Sequence, residues 1–284
     1  MYYDTHNHCQ FSFDGARTSV EKSAQAAVDK GLGGICFTDH CDFFVPDKPQ
    51  EQEVPVSEQF DVPAQQAEID RVNEAVAGGL FGRQAAKKFR IFKGVEIGLY
   101  EEDREAIRTY FQTYRFDQVV ASVHYLDGTD PYRGAYYKGK NWKEAYGHYL
   151  ETLLKEMKWL GDDFDIMGHF DYIARYAPYP KESILYRDFS GILDEILRFL
   201  AENGKGFEIN TKTYRQYGLR TPQLDRNILL RFMELGGEVI TLGSDSHDPK
   251  WIGEKFDYFA QYVKSFGFRR LGHFEGRRLK MVTI

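Results

Sequence analysis

The sequence predicts an α/β protein on a parallel sheet, either closed into a barrel or doubly wound. Three features carry that reading: short apolar or β-branched runs, longer amphipathic stretches that alternate with them along the chain, and glycines that stop several of those stretches. The first run, residues 1–8, ends in Thr5-His6-Asn7-His8. A helix over 18–30 stops at Gly31, glycine being the residue that best adopts the left-handed turn past a helix end. A strand over 34–38 comes next. Residues 41–62, polar and rich in proline and glutamate, read as a surface insertion. A helix over 64–77 stops at Gly78, and a strand over 90–95 leads through Glu96 into a helix over 101–114. The strand over 118–123 opens onto a second long loop, 125–140, dense in Tyr, Asp and Gly. A helix over 142–160 ends at Gly161, and a strand over 164–168 ends at His169. The helix over 190–202 precedes Gly204 and a strand over 206–209. A helix over 222–235 is expected to start at the Thr221 hydroxyl with Pro222 in its first turn, and it stops at Gly236. The strand over 238–243 and a helix over 250–265 complete about seven strands, each short and apolar enough for burial on both faces.

Composition narrows the classes. Hydrophobic residues make up 42% of 284, enough for one large core, and no Gly/Ser-rich linker divides the chain, so residues 1–284 read as a single domain. A net charge of −6 gives no general basic field for long nucleic acid. The absence of any run of about 18 apolar residues argues against a membrane span, and the N-terminus lacks the basic and apolar regions of a secretory signal. Three cysteines, Cys9, Cys36 and Cys41, suit a reducing cytoplasm better than a disulfide framework.

Of eight histidines, six fall at the C-terminal end of an expected strand: His6 and His8, His40, His124, His169 and His247. The third strand ends at Glu96 instead. In a barrel of parallel strands those ends share one face, where active sites are built. His6-Asn7-His8 and Asp245-Ser246-His247 are i, i+2 pairs, and strand alternation turns both members of a pair the same way. Imidazoles and carboxylates gathered in this manner form a ligand set for divalent metal. The same alternation turns Cys9 away from His8, and turns Asp39 away from His40 toward packing or support of a ligand. His148 reads as a surface or partly packed helix residue. His273, between Arg269-Arg270 and Arg277-Arg278, reads as part of a solvated basic tail.

In chain order the motifs are Thr5-His6-Asn7-His8, Thr38-Asp39-His40, Gly94-Val95-Glu96, Ser122-Val123-His124, Gly168-His169-Phe170-Asp171 and Gly243-Ser244-Asp245-Ser246-His247. Over nearly the whole chain this set resembles the PHP (polymerase and histidinol phosphatase) superfamily. Phe13-Asp14-Gly15 and two arginine-bearing segments are similar to its histidinol-phosphate phosphatase branch. The resemblance implies a distorted (β/α)7 barrel with a trinuclear centre at the C-terminal strand ends. It implies His6, His8, Glu96 and Asp245 on a first metal, Glu96 bridging to a second with His124 and His169, and Asp14, His40 and His247 on a third. Asp14 stands where some relatives carry histidine. The implied cofactors are three divalent ions, and mixed imidazole and carboxylate donors do not choose among Zn, Mn and Fe. The implied activity is hydrolysis of L-histidinol phosphate in histidine biosynthesis; the alternative is another small phosphate, a nucleotide or a nucleic-acid end.

The chemistry agrees with that implication. With Glu96 counted twice, the nine residues give about three protein bonds per metal, leaving positions for water and substrate. Three carboxylates against three divalent ions leave a surplus of about +3, suited to a monoester of roughly −1.5 to −2. Ions held by these residues would lower the pKa of a bound water toward neutrality and so supply hydroxide for attack on phosphorus. Asp245 or His247 is a candidate to return a proton to the leaving group. Arg175 and Arg215 follow strand-end motifs and are candidate forks for phosphate, with Asn210 and Lys212 sharing strand parity nearby. Asp171, Tyr125, Asp127 and the Tyr136-Tyr137 pair are candidates for the amino-alcohol and imidazole. The expected partner is a small phosphorylated metabolite, with neither membrane nor long nucleic acid; an oligomer is compatible.

Overall fold

The computed structural model describes residues 1–43, 58–216 and 221–284, so most of the expected insertion, 44–57, lies outside the described residues. Eight parallel strands build the central sheet: β1 (Tyr3–Asn7), β2 (Gly34–Phe37), β3 (His40–Cys41), β4 (Arg90–Gly98), β5 (Gln118–Ser122), β6 (Ile166–Met167), β7 (Gly206–Asn210) and β8 (Ile240–Gly243). Their order is β1-β2-β4-β5-β6-β7-β8, with β3 paired to the C-terminal half of β4. No ladder joins β8 to β1, but a single bridge, Asn7 to Ser246, and the bonds Asp245 N–H to His6 O (2.8 Å) and His8 N–H to Ser246 O (3.0 Å) nearly close the ring. The result is a parallel sheet of seven main strands nearly closed into a barrel with helices around it, which decides between the two architectures left open by the alternation of elements.

The helices are α1 (Val20–Asp29), α2 (Val62–Ala77), α3 (Gly82–Lys88), α4 (Arg104–Thr113), α5 (Trp142–Leu160), α6 (Tyr172–Arg175), α7 (Ser190–Glu202), α8 (Arg226–Glu234) and α9 (Phe256–Phe266). Most bury one stripe against the sheet. In α5 that stripe is Tyr146, Tyr149, Leu150, Leu153, Leu154 and Met157, at helical spacing. Its start is a capping box: Asn141 Oδ1 accepts from the N–H groups of Lys143 and Glu144, and the Glu144 carboxylate accepts from Asn141 N–H.

The departures from expectation have local causes. β4 runs past Val95 to Gly98 because β3 supplies a partner, His40 opposite Glu96 and Cys41 opposite Ile97. α8 begins at Arg226, not Pro222, because the Asp225 carboxylate caps Asn227 N–H. α9 begins at Phe256, after left-handed residues at Gly253 and Lys255. The 125–140 loop contains two 3₁₀ turns, and it drives Tyr136 and Tyr137 into the core.

The basic tail is solvated on one side only, with Arg269, Arg270, Arg278 and Lys280 exposed. It folds as a hairpin, β9 (Arg270–Glu275) and β10 (Arg278–Thr283), under the N-terminal ends of the barrel strands. Leu271 and Phe274 are buried, Arg277 Nε lies 2.6 Å from Asp165 Oδ2, and Gly276 N–H donates to Asp117 Oδ1 at 3.0 Å. His273 is buried there, stacked on Tyr3 with ring centroids 3.7 Å apart. Among the described residues no helix is long and apolar enough to cross a membrane, and the three cysteines are buried free thiols.

Candidate metal centre

Glu96 is the hub of the opposite, C-terminal face. The pleat of β4 turns its fully buried side chain into the barrel mouth, where Oε2 lies 3.2 Å from His6 Nε2, 3.5 Å from His8 Nε2 and 2.9 Å from His40 Nδ1. The other oxygen, Oε1, lies 3.1 Å from His124 Nε2 and 2.9 Å from His169 Nε2, and accepts from the Ser122 hydroxyl at 2.6 Å. The two oxygens thus face different sets of imidazoles. Asp245 Oδ1 is 3.5 Å from His8 Nε2. On the outer side, Asp14 Oδ2 lies 2.7 Å from His247 Nε2 and 3.6 Å from His40 Nε2. The Asp14 side chain is 34% exposed, so this outer group opens to solvent while the Glu96 group does not.

Several of these atoms have no internal hydrogen-bond partner: His6 Nε2, both nitrogens of His8, His40 Nδ1, His169 Nδ1 and Glu96 Oε2. A buried polar atom left this way is costly. The His6 ring shows the reason. In the neutral ring with its hydrogen on Nδ1, facing Glu208 Oε1 at 2.7 Å, Nε2 carries a lone pair aimed at a carboxylate oxygen that also carries lone pairs. A divalent cation between them relieves both. Donor atoms lie within 4.8 Å of one another in three groups: His6, His8 and Glu96; His40, Glu96 and His124; and His8, Asp14, His40 and His247. Donor type, burial and lone-pair direction fit divalent metal.

Charge in the site follows the same pattern. Burial works against the Glu96 carboxylate, yet the surrounding His6, His124 and His40 imidazoles hold it well below the usual range. Burial likewise opposes the charge on Asp245, but Lys212, His8, His6 and Arg175 keep it ionised. For His40, burial lowers the imidazole, and Glu96 with Asp14 outweighs it, raising the ring to about 10. His8, deeply buried and beside His247 and His40, is driven the other way, toward the neutral ligand form.

The β1 pair and the Asp245 pair reach the site by different routes. His6 lies in β1 and His8 just past it, at a register irregularity between Asp4 and Asn7. Asp245 and His247 are beyond β8, and Asp245 is left-handed (φ 48°), a conformation costly for a residue other than glycine and common at functional sites. Strand pleating therefore does not orient this second pair; a turn does. Cys9 donates its thiol to Asp39 Oδ2 (2.9 Å), away from the imidazoles.

A cavity of about 620 Å³ opens over the centre. Arg175, Arg215, Lys212, His247, Asp245 and Tyr125 line it. The Arg175 guanidinium is held by Asp245 Oδ2 (3.2 Å), Thr213 Oγ1 (2.8 Å) and Asn210 Oδ1 (3.2 Å). Arg215 pairs with Glu254 and lies over the Trp251 ring, 4.5 Å from its centroid. Lys212 Nζ donates to Asp245 Oδ1 at 2.8 Å. Asp171 and Asn210 do not line the cavity. Asp171 accepts from the Tyr214 and Thr213 hydroxyls, and Asn210 braces Arg175 and Asp245 from behind. Tyr136 and Tyr137 are also removed from it, donating to the carbonyls of Ala145 and Ile173. Asp127 lies elsewhere, paired with His148 at 3.0 Å.

Two carboxylates escaped sequence reasoning. Asp42 lies behind His124, with its oxygens 3.1 and 3.2 Å from Nδ1; it belongs to the stretch read as an insertion, although His40-Cys41-Asp42 repeats the i, i+2 spacing of the other pairs. Glu208 lies behind His6, and a charged residue within the buried strand Gly206–Asn210 was the available signal.

A parallel barrel carrying histidines and carboxylates at its C-terminal mouth defines a metal-dependent hydrolase class. The PHP domain model matches residues 4–212, and the chain belongs to the PHP domain family. It is 33% identical over 277 residues to the histidinol-phosphatase of Lactococcus lactis, covering 97% of this chain and 95% of that one. A Clostridium acetobutylicum protein named "Probable histidinol-phosphatase" is 31% identical over 283 residues, with 99% of both chains covered. The crystal structure of the Lactococcus lactis histidinol phosphate phosphatase, complexed with zinc, L-histidinol and phosphate, superposes with a TM-score of 0.82 over 98% of both chains at 31% identity.

Proposed function

We propose that this protein is a metal-dependent phosphomonoesterase that hydrolyses L-histidinol phosphate to L-histidinol and phosphate, a step of histidine biosynthesis. The observation that carries the proposal is the convergence of unpartnered imidazole and carboxylate atoms on Glu96 in a chain so similar to a phosphatase crystallised with zinc, L-histidinol and phosphate. The proposed ligands are His6, His8, Glu96 and Asp245 for one ion, Glu96, His124 and His169 for a second, and Asp14, His40 and His247 for a third, with zinc, manganese or iron as occupants. Such ions, when bound, polarise phosphoryl oxygen and acidify water.

The chain's own residues supply orientation. Arg175, Arg215 and Lys212 bring positive charge to the cavity wall beside Asp245 and His247, suited to holding a phosphoryl group in one pose. Asp245 or His247 is proposed to take the proton released by the attacking water and pass it to the leaving oxygen, whose bond to phosphorus breaks as water adds. Tyr125, Tyr172 and Asp130 line the cavity beside His124 and offer aromatic and acidic surface to the imidazole and ammonium of the substrate. Buried free thiols suit a reducing compartment, the proposed cytoplasm.

The test is release of inorganic phosphate from L-histidinol phosphate, run beside nucleotide monophosphates and diesters. A preference for L-histidinol phosphate that disappears in chelated protein and returns with metal supports the proposal. Equal or faster turnover of nucleotides would replace the substrate.

A further inference from the structure

Two imidazoles of the centre are fixed from behind by carboxylates that are not themselves ligands in the proposed set, and the fold makes room for each in the same way. Glu208 Oε1 accepts from His6 Nδ1–H at 2.7 Å, while its Oε2 accepts from His169 N–H at 2.7 Å and from Asn210 Nδ2 at 3.3 Å. A Cβ at Gly243, on the neighbouring strand, would lie 2.2 Å from Glu208 Oε1 and 2.6 Å from His6 Cβ. Across the centre, both Asp42 oxygens face His124 Nδ1, and a Cβ at Gly98 would lie 1.7 Å from Asp42 Oδ1. Each carboxylate therefore occupies a notch that only glycine leaves open.

We infer that Glu208 and Asp42 are positioning residues that keep the ring hydrogens of His6 and His124 on Nδ1, so that both Nε2 lone pairs point at the Glu96 oxygens and into the metal site. The inference rests on the proposed ligand set. An ionised carboxylate only accepts, so a ring nitrogen facing it must be N–H and the other nitrogen must carry the lone pair a metal requires. Glu208 ties two ligands together: it faces His6 Nδ1 and the main-chain N–H of His169, both donors. A glutamine there has one acceptor oxygen for two donors. The main-chain N–H cannot change its character, so it keeps the oxygen, and the amide nitrogen turns to His6. His6 then accepts at Nδ1, and its hydrogen moves to Nε2, the atom aimed at the metal.

Glu208→Gln and Asp42→Leu, a near-isosteric change that leaves His124 Nδ1 without its acceptor, test this without substrate. Wild-type and variant proteins are loaded with zinc or cobalt(II), and elemental analysis, chelator extraction and the visible spectrum of the cobalt form are compared. Both variants are expected to bind metal roughly 10- to 100-fold more weakly, with an altered cobalt spectrum and an unchanged circular dichroism spectrum. Wild-type metal content, extraction rate and cobalt spectrum in both variants would overturn the inference. If Glu208→Gln fails to fold, Asp42→Leu alone decides it. A wild-type protein that binds no metal would instead overturn the ligand set beneath it.

Discussion

At the C-terminal mouth of the barrel, imidazoles and the Glu96 carboxylate face one another with buried atoms that no protein group satisfies. At the N-terminal mouth, under the same strands, His273 Nδ1 is also left without a hydrogen bond, but the buried carboxylates there find partners within the chain. Asp165 accepts from Val119 N–H and pairs with Arg277, Asp117 accepts from Lys93 N–H and Gly276 N–H, and the β9–β10 hairpin buries Leu271 and packs Phe274 against Val120, Ile166 and Val239. The difference lies in what completes each end. One is closed by its own chain and is structural; the other is complete only when something from outside sits among its lone pairs.

Substitutions at the two ends should separate these roles. The largest effect is expected at the upper mouth, where metal removal or His6→Ala should reduce phosphate release from L-histidinol phosphate to background, with activity restored by zinc or manganese in the first case only. Next, Arg175→Ala removes charge-assisted bonds to Asp245, Asn210 and Thr213. It should lower kcat/KM by roughly 10- to 100-fold, mainly through KM in steady-state assays. Gly243→Ala forces Glu208 and His6 apart and should cost about 1–3 kcal/mol in chemical denaturation, along with part of the bound metal. The smallest effect on catalysis belongs to the lower mouth. Phe274→Ala should destabilise the fold by about 3–5 kcal/mol in the same denaturation assay while leaving kcat/KM of the folded enzyme unchanged. Loss of turnover in folded Phe274→Ala would erase the contrast between the two ends.

The upper mouth was far more legible in the sequence than the lower one. His6, His8, Glu96 and His169 stand in or directly after short apolar runs, so strand alternation and the common direction of parallel strands suffice to bring them together. The lower hairpin was read as a solvated tail because the pairs Arg269-Arg270 and Arg277-Arg278 flank His273, and only docking under Asp117 and Asp165 reveals the buried side of β9. Asp171 and Asn210 carry residue types suited to substrate contact, but a side chain one layer behind a cavity has the same spelling as one in its wall.

Periodicity and spacing alone determined that the chain alternates strands with helices and that its imidazoles and acids share one end of the sheet, because those properties follow from local geometry repeated along the chain. Tertiary structure decided which groups stand behind the metal-facing atoms, Glu208 behind His6 and Asp42 behind His124, and that Asp245 arrives on a left-handed turn. Those contacts join residues 202 and 82 positions apart, and no local pattern records the notch that a glycine on a neighbouring strand leaves for a carboxylate.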